Sequence, residues 1–531
     1  MKRLLEKYPV GAVCLLVLLC FAPVLLLRDF SPANELRYLS IADEALADGH
    51  VFAFFNHGLP YADKPPLYFW IVMLCRLLCG RHSMLLLSLF SLLPAFGIVA
   101  VMDRWSFRKE TPLTRAAAAM MLLTTALFLG MAVYVRMDML MCLWIVLALY
   151  QFWKGNGAWF GFFTFLALFT KGPVGLLVPP LSALAYLIAS GRWREIGKRF
   201  NGAFWLCLAV PSLAWLAGAY WEGGRDYFLN LTIHQTVGRA VHAFHHQAPF
   251  WFYLATIWGV AAPWCLLTLP SVVVSFVKKG PLLSHHDPAR RTRRERLFAW
   301  TGVVTLVLLS LFSSKLAIYL LPLLPFLTGV FVRVEKRVGW RPWMRVALGA
   351  VAVLFALIGA GSLAAWFGLR SSYIPQEYAF VRTPFLWGAA LLLMAGAVLA
   401  LRWLRSGWQR PVLALGVSLL LSVGVLSPIV PSVNPVSGYA DICAKVAEKA
   451  PAAEVCTLGL NRPENMDVYL HCPVTAVDLQ RFAQGPSLIP AGATVILNEK
   501  INAAASCRYG SILHDSGRSR VYESTLYSIW R

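Results

Sequence analysis

Charge is scarce in this chain. Only 14% of its 531 residues are Asp, Glu, Lys or Arg, against about 25% in a typical soluble domain. Acidic residues are the scarcer kind, 26 against 48 Lys+Arg. With 58% of residues hydrophobic and a mean hydropathy of +0.62, a water-soluble molecule of this size would expose large apolar patches. A soluble enzyme and a disordered chain are both excluded, and what remains is a polytopic membrane protein. Also missing are a Walker A loop, a GxGxxG fingerprint, an HExxH helix and a GxSxG elbow. Their absence removes nucleotide hydrolysis, dinucleotide chemistry and the commonest hydrolase signatures. The eleven cysteines include no CxxC pair. No Ala-x-Ala-like cleavage site follows the first apolar run, which therefore reads as a retained helix.

The formal charge of +22 raises the question of nucleic acid, but the basic residues fall in short runs between apolar stretches. Those runs include Arg104–Arg115, Arg192–Arg199, Lys278–Arg296, Arg333–Arg345 and Arg402–Arg410. That distribution belongs to cytoplasmic loops facing anionic lipid, so the cluster around Arg290–Arg296 reads as a topology anchor with no nucleic-acid partner. Thirteen spans are expected, at residues 9–27, 83–102, 115–134, 139–153, 158–170, 173–190, 202–220, 252–276, 298–312, 316–332, 346–368, 384–401 and 411–428. With the N-terminus inside, an odd number puts the tail outside. Residues 1–430 form the expected transmembrane part. Residues 431–531, with short alternating apolar runs such as AEVCTLGL and ATVILNE, read as a small extracytoplasmic α/β domain. Its four cysteines, Cys443, Cys456, Cys472 and Cys507, are candidates for up to two disulfides in an oxidising compartment.

Two outer loops, residues 28–82 and 221–251, are too rich in placed polar and aromatic residues to be spacers and are expected to roof a site. Residues 67–80 read as an amphipathic helix on the membrane surface. Charge near hydrocarbon is costly unless paired or lining a cavity. The informative charges gather on the outer side: Glu35 and Arg37 beside Asn34, then Asp63, Lys64, Arg136, Asp138, Lys171, Arg239 and Lys315. Packed helices are expected to bring them to one wet cleft. Lys64, Lys171, Arg239 and Lys315 suit the phosphate of a lipid-linked substrate. Glu35, Asp63 and Asp138 suit three uses that the residues leave open: general base, acceptor orientation, or a divalent metal. His245 and His246 are metal ligands, proton carriers or solvated loop residues on the same footing. Taken singly, each Lys or Arg near a span end is also explained as a snorkelling side chain.

The segments NELRYLSIADEALADGH, HGLPYADKPPLYFW, VRMDMLM, FTKGPVGLLVP, HHQAPFWFYL and SSKLAIYLLPLLP, in that order, resemble the polytopic GT-C glycosyltransferases. The nearest branch is that of the bacterial lipid A aminoarabinose transferases, with protein O-mannosyltransferases as cousins. The resemblance covers about residues 30–330. It implies a polyprenyl-phosphate-linked sugar donor, transfer on the outer face of a bacterial inner membrane, and lipid A or a related glycolipid as acceptor. A protein Ser/Thr acceptor is the alternative, and a non-enzymatic transporter or assembly protein a further one. By resemblance, the first loop carries a catalytic Asp, then Glu, ahead of an Arg-Tyr pair. Here these positions are Asn34, Glu35, Arg37 and Tyr38, so the first carboxylate is an amide that cannot act as a base. Asp63, Lys64 and Asp138 match the motif residues that would contact acceptor, metal or lipid phosphate. Arg136, Lys171, Arg239 and Lys315 fall to the donor phosphate, and His245 and His246 to the neighbouring loop. A divalent ion held by Asp63, His245 and His246 is the one cofactor expectation.

Overall fold

The computed structural model describes residues 6–233, 248–277, 292–368, 383–449, 454–477, 493–498, 520–523 and 527–530. Arg239, His245, His246, Cys507, most of the 278–296 basic loop and residues 369–382 lie outside the described residues.

The membrane part is all-helical. Among the described residues seven helices are long and apolar enough to cross a bilayer: Pro9–Leu27, Met84–Phe107, Gly202–Ile233, Ala317–Val338, Pro342–Ala364, Pro384–Ser406 and Gln409–Ser437. An eighth is the pair Pro112–Leu123 and Ala126–Val133, bent by 73°. The bend falls at Thr124 and Thr125, whose hydroxyls donate to the carbonyls of Met120 and Met121. The shorter helices explain why this count differs from the expected thirteen. Gly157–Lys171 has 15 residues and, rising about 1.5 Å per residue, falls well short of a core about 30 Å thick.

Two expected loop or span boundaries move. The Gly202–Leu229 helix continues through the start of the second outer loop, broken only at Gly224, where φ is +72°. Residues 316–332 are not one helix: they begin as a 3₁₀ turn over Ala317–Leu323 and become α-helical from Leu324. The surface helix forms as expected, over Leu67–Cys79, opened by Pro65 and Pro66 and closed by Gly80 at φ +66°. Tyr68, Phe69, Val72 and Cys75 face inward while Leu74, Leu77 and Leu78 are exposed. Its exposed side thus carries leucines, and its buried side is apolar as well.

A short hairpin pairs β1 (Phe55–Asn56) with β2 (Leu59–Pro60). The tail forms a five-stranded sheet from β3 (Val455–Leu458), β4 (Val474–Val477), β5 (Thr494–Asn498), β6 (Arg520–Glu523) and β7 (Tyr527–Trp530). The strand order is β4-β3-β5-β7-β6. β3 lies parallel to β4 and β5, and β7 antiparallel to β5 and β6. The two faces divide with the period of two expected of strands. Val455, Val474 and Ile496 join a core with Leu36, Tyr38, Leu39 and Phe69 of the first outer loop. Cys456, Leu458, Val495 and Leu497 form a small cluster on the other face. The tail thus shares one of its cores with the first outer loop. Polar ties reinforce the join: Tyr469 Oη donates to Asp29 at 2.6 Å, and Asn465 Nδ2 to the Pro32 carbonyl at 3.1 Å. Cys443, Cys456 and Cys472 are free thiols, so the expected stapling has no disulfide among these three.

Candidate active site

The site is built where helix ends meet the first outer loop. After the Pro9–Leu27 helix, a π turn over Pro32–Leu36 carries Asn34 and Glu35. Residues 134–137 leave the bent helix pair and start the Asp138–Lys154 helix. Lys171 ends the Gly157–Lys171 helix, where Gly172 at φ +88° reverses the chain. Such a conformation is open to glycine and strained for most other residues.

Asp138 is the hub. It is 0% exposed and pairs with Arg136 Nε at 2.9 Å and with the Lys171 ammonium. Arg136 also donates to Asn34 Oδ1 at 3.4 Å. Lys171 lies over the Tyr319 ring, 4.7 Å from its centroid. Lys64 pairs with Asp63 at 2.9 Å, Tyr61 Oη donates to the same carboxylate at 3.3 Å, and Lys64 is within electrostatic reach of both Asp138 and Lys171. Arg37 stacks on the Tyr61 ring at 5.7 Å. Lys315 is 6% exposed and donates to the Phe312 carbonyl at 2.5 Å, four residues before Tyr319. Asn34, Asp63, Lys64, Arg136, Asp138 and Lys171 thus share one neighbourhood. Tyr319, four residues after Lys315, reaches it by its contact with Lys171. Tyr38 is nearly sealed in the core, 1% exposed, edge-on to Tyr68.

The charge balance is uneven. Within the neighbourhood, Arg37, Lys64, Arg136 and Lys171 stand against Asp63 and Asp138. Buried like charges repel strongly, so surplus cations in this arrangement suit an anionic ligand.

Glu35, expected as a catalytic candidate, is densely hydrogen-bonded. Its carboxylate accepts from Arg28 twice, at 2.8 and 2.5 Å, from Ser31 N at 2.8 Å and from Val135 N at 2.7 Å. It is 0% exposed. Those bonds make Glu35 a clamp joining the first helix, the π turn and the 134–137 segment. Arg28 was not singled out in the sequence because a basic residue closing an apolar run reads as a snorkelling end. Tyr319 was hidden inside an apolar stretch. A third omission is a polar clasp between loop and tail: His57 Nε2 lies 3.0 Å and Ser40 Oγ 2.8 Å from Asp467 Oδ2. The loop itself is held from the other side by Glu222, which accepts the backbone N–H groups of Val51, Phe52 and Ala53.

Asp63 is ion-paired with Lys64, and His245 and His246 lie outside the described residues. Among the described residues no group of three or more His, Cys, Asp or Glu is placed to hold an ion.

Comparison with known proteins agrees with this architecture. No family model matches the chain. It is 25% identical over 336 residues to undecaprenyl phosphate-alpha-4-amino-4-deoxy-L-arabinose arabinosyl transferase 1 of Pseudomonas fluorescens, covering 60% of this chain and 56% of that protein. It is 27% identical over 463 residues to the second such transferase of Sodalis glossinidius, covering 81% and 78%. The chain thus spans less than two thirds of the first of these relatives. The crystal structure of ArnT from Cupriavidus metallidurans bound to undecaprenyl phosphate superposes with a TM-score of 0.76 at 18% identity, covering 98% of this chain and 97% of that one. The apo form of the same protein gives 0.74 at 19% identity. By fold the chain resembles the ArnT structure, and by sequence it is similar to the undecaprenyl phosphate aminoarabinose transferases.

Proposed function

We propose that this protein moves a sugar from a polyprenyl-phosphate-linked donor to a glycolipid acceptor of the lipid A class, on the periplasmic side of a bacterial inner membrane. The observation that carries the reading is the cationic surplus around buried Asp138: Arg136 and Lys171 paired to it, with Lys64 in reach of both. Such a pit suits the phosphate of a lipid-linked donor, and the relatives' names supply the class of donor. The finer membrane plan proposed with it has thirteen spans, the shorter helices completing the seven or eight clear ones.

The chemistry follows from the charges. A phosphate oxygen of the acceptor attacks the anomeric carbon, the bond from that carbon to the donor phosphate oxygen breaks, and the electron pair leaves with polyprenyl phosphate. Lys64, Arg136 and Lys171 neutralise the charge that develops on the leaving phosphate, which is where preorganised electrostatics contribute most. Asp138 positions Arg136 and Lys171 and keeps them from repelling one another. Arg239 and Lys315 are proposed as further donor-phosphate contacts. An acceptor phosphate monoester has its second pKa near 6 and arrives already anionic, so no strong base is needed. Asn34 then serves by orientation, held by Arg136, and Glu35 as a positioning residue. Asp63 fixes Lys64 rather than taking a proton.

Mass spectrometry of lipid A from cells with and without the gene tests this reading. A sugar adduct on a lipid A phosphate that disappears with the gene is expected. Identical lipid A spectra, under conditions where the protein is made, would remove lipid A as the acceptor.

A further inference from the structure

The mechanism above uses the cationic cleft but not the space beside it. A separate cavity of about 370 Å3 lies between the π turn and the tail sheet, lined by Ser31, Asn34, Tyr134, Gly459, Asn461 and Asn498 among others. Its size falls in the range of small-molecule sites, about 300–1,000 Å3. Its position in the sheet is informative. The order β4-β3-β5 makes the chain leave β3 on one side and return on the other, so the switch point is between β3 and β5. Open parallel sheets bind ligands at that point, outside the carboxyl ends of the strands. Gly459, Leu460 and Asn461 follow the end of β3, and Asn498 is the last residue of β5. Gly459, at φ +72°, turns the chain there and leaves no side chain in the way.

Among the described residues the lining is polar and carries no charged side chain, in contrast to the cationic neighbourhood of Asp138. Amides and hydroxyls without charge recognise a neutral, hydroxylated ligand and offer little to a phosphate or a peptide carboxylate. Asn34 belongs to both spaces, lining the cavity and accepting from Arg136. From these observations we propose that the cavity is a saccharide subsite for the acceptor: it holds a neutral sugar ring so that the adjoining acceptor phosphate enters the cationic cleft past Asn34. The donor sugar is the other source of the same chemistry. The acceptor is assigned because the cavity is walled by the tail sheet and by none of the cationic residues that would hold the donor phosphate. The inference rests on the glycosyl-transfer reading for the ligand's role, though the saccharide site itself is testable without catalysis.

Asn461 is exposed at the rim and its side chain can be changed without entering the core. Two variants serve, Asn461→Ala and the cavity-filling Asn461→Trp. With vesicles of lipid A and a polyprenyl-phosphate sugar, Asn461→Ala is expected to raise the acceptor KM about fivefold, the factor one hydrogen bond is worth. Asn461→Trp should raise it at least tenfold. Donor KM and slow donor hydrolysis without acceptor should stay unchanged in both. Binding of a soluble, neutral N-acetylglucosamine disaccharide, followed by calorimetry on the full-length protein, should be lost in Asn461→Trp and kept in the parent. An unchanged acceptor KM together with unchanged disaccharide binding in Asn461→Trp overturns the subsite, as does a rise in donor KM in place of acceptor KM. A parent protein that binds the disaccharide but transfers no sugar would instead overturn the reaction and leave the site standing.

Discussion

At the scale of single residues the account turns on which charges are free to act. Lys64 is held by Asp63 and directed toward the Asp138 neighbourhood, so Lys64→Ala should remove a phosphate-binding charge without touching the apolar core. Turnover in a purified transfer assay should fall about 10²-fold or more, the usual effect of losing one preorganised charge contact, with the thermal midpoint within a few degrees of the parent. Glu35→Ala should behave in the opposite way. Removing an acceptor of four buried donors strands Arg28 and two backbone N–H groups, at a cost of about 3 kcal/mol. A thermal melt in detergent should show the loss as a clear drop in midpoint. Asn34→Asp separates the acceptor classes. For a phosphate acceptor the rate should stay within a few-fold or fall, because an anion is set beside the incoming phosphate. A hydroxyl acceptor would gain from the new base, by about 10²–10⁴-fold, and such a gain would favour a protein acceptor. The motif residues themselves were legible in the sequence because a charge beside an apolar run stands out. Arg28 and Tyr319 were not, since neither contrasts with its surroundings until the chain is folded.

At the scale of elements, the join between the first outer loop and the tail depends on a titratable contact. The hydrogen bond to Asp467 holds the His57 imidazole above its ordinary pKa of 6.5, partly offset by burial, with Glu44 and Glu464 adding to the rise. A raised folded-state pKa means that the stabilisation is fully present below about 6.5, the undocked value, and is lost as pH rises through the docked one. Protection against hydrogen exchange in residues 464–470, corrected for the base catalysis intrinsic to amides, should therefore fall as pH is raised past neutrality, and His57→Gln should flatten that dependence. Corrected protection that does not change with pH in the parent would show that the clasp carries no weight. The surface helix over Leu67–Cys79 was readable from Pro65, Pro66 and the glycine at its end. The clasp was not, because His57 and Asp467 are far apart in sequence and each alone looks like a solvated loop residue. The bent pair at Thr124 and Thr125 was read as a continuous span, since two back-bonding threonines leave no break in an apolar pattern.

For the whole molecule, composition points to a polytopic membrane protein, and the alternation of apolar runs in the tail points to strands. The order of those strands and the sharing of their inner face with the first outer loop come from contacts between distant segments, which no local pattern encodes. Topology follows from the distribution of basic residues: a reporter active only outside the cytoplasm, fused after Arg531, should give signal, and a silent, fully expressed fusion would contradict the thirteen-span plan. The central claim is that this fold transfers a sugar from a lipid phosphate, and its most direct test is a transfer assay with purified protein, lipid A vesicles and a panel of polyprenyl-phosphate sugars. The account predicts adduct formation with at least one donor, released polyprenyl phosphate in equal amount, and near-complete loss in a Lys64→Ala, Lys171→Ala double variant. Folded protein that transfers from no donor in the panel, or a double variant that transfers as fast as the parent, would contradict it.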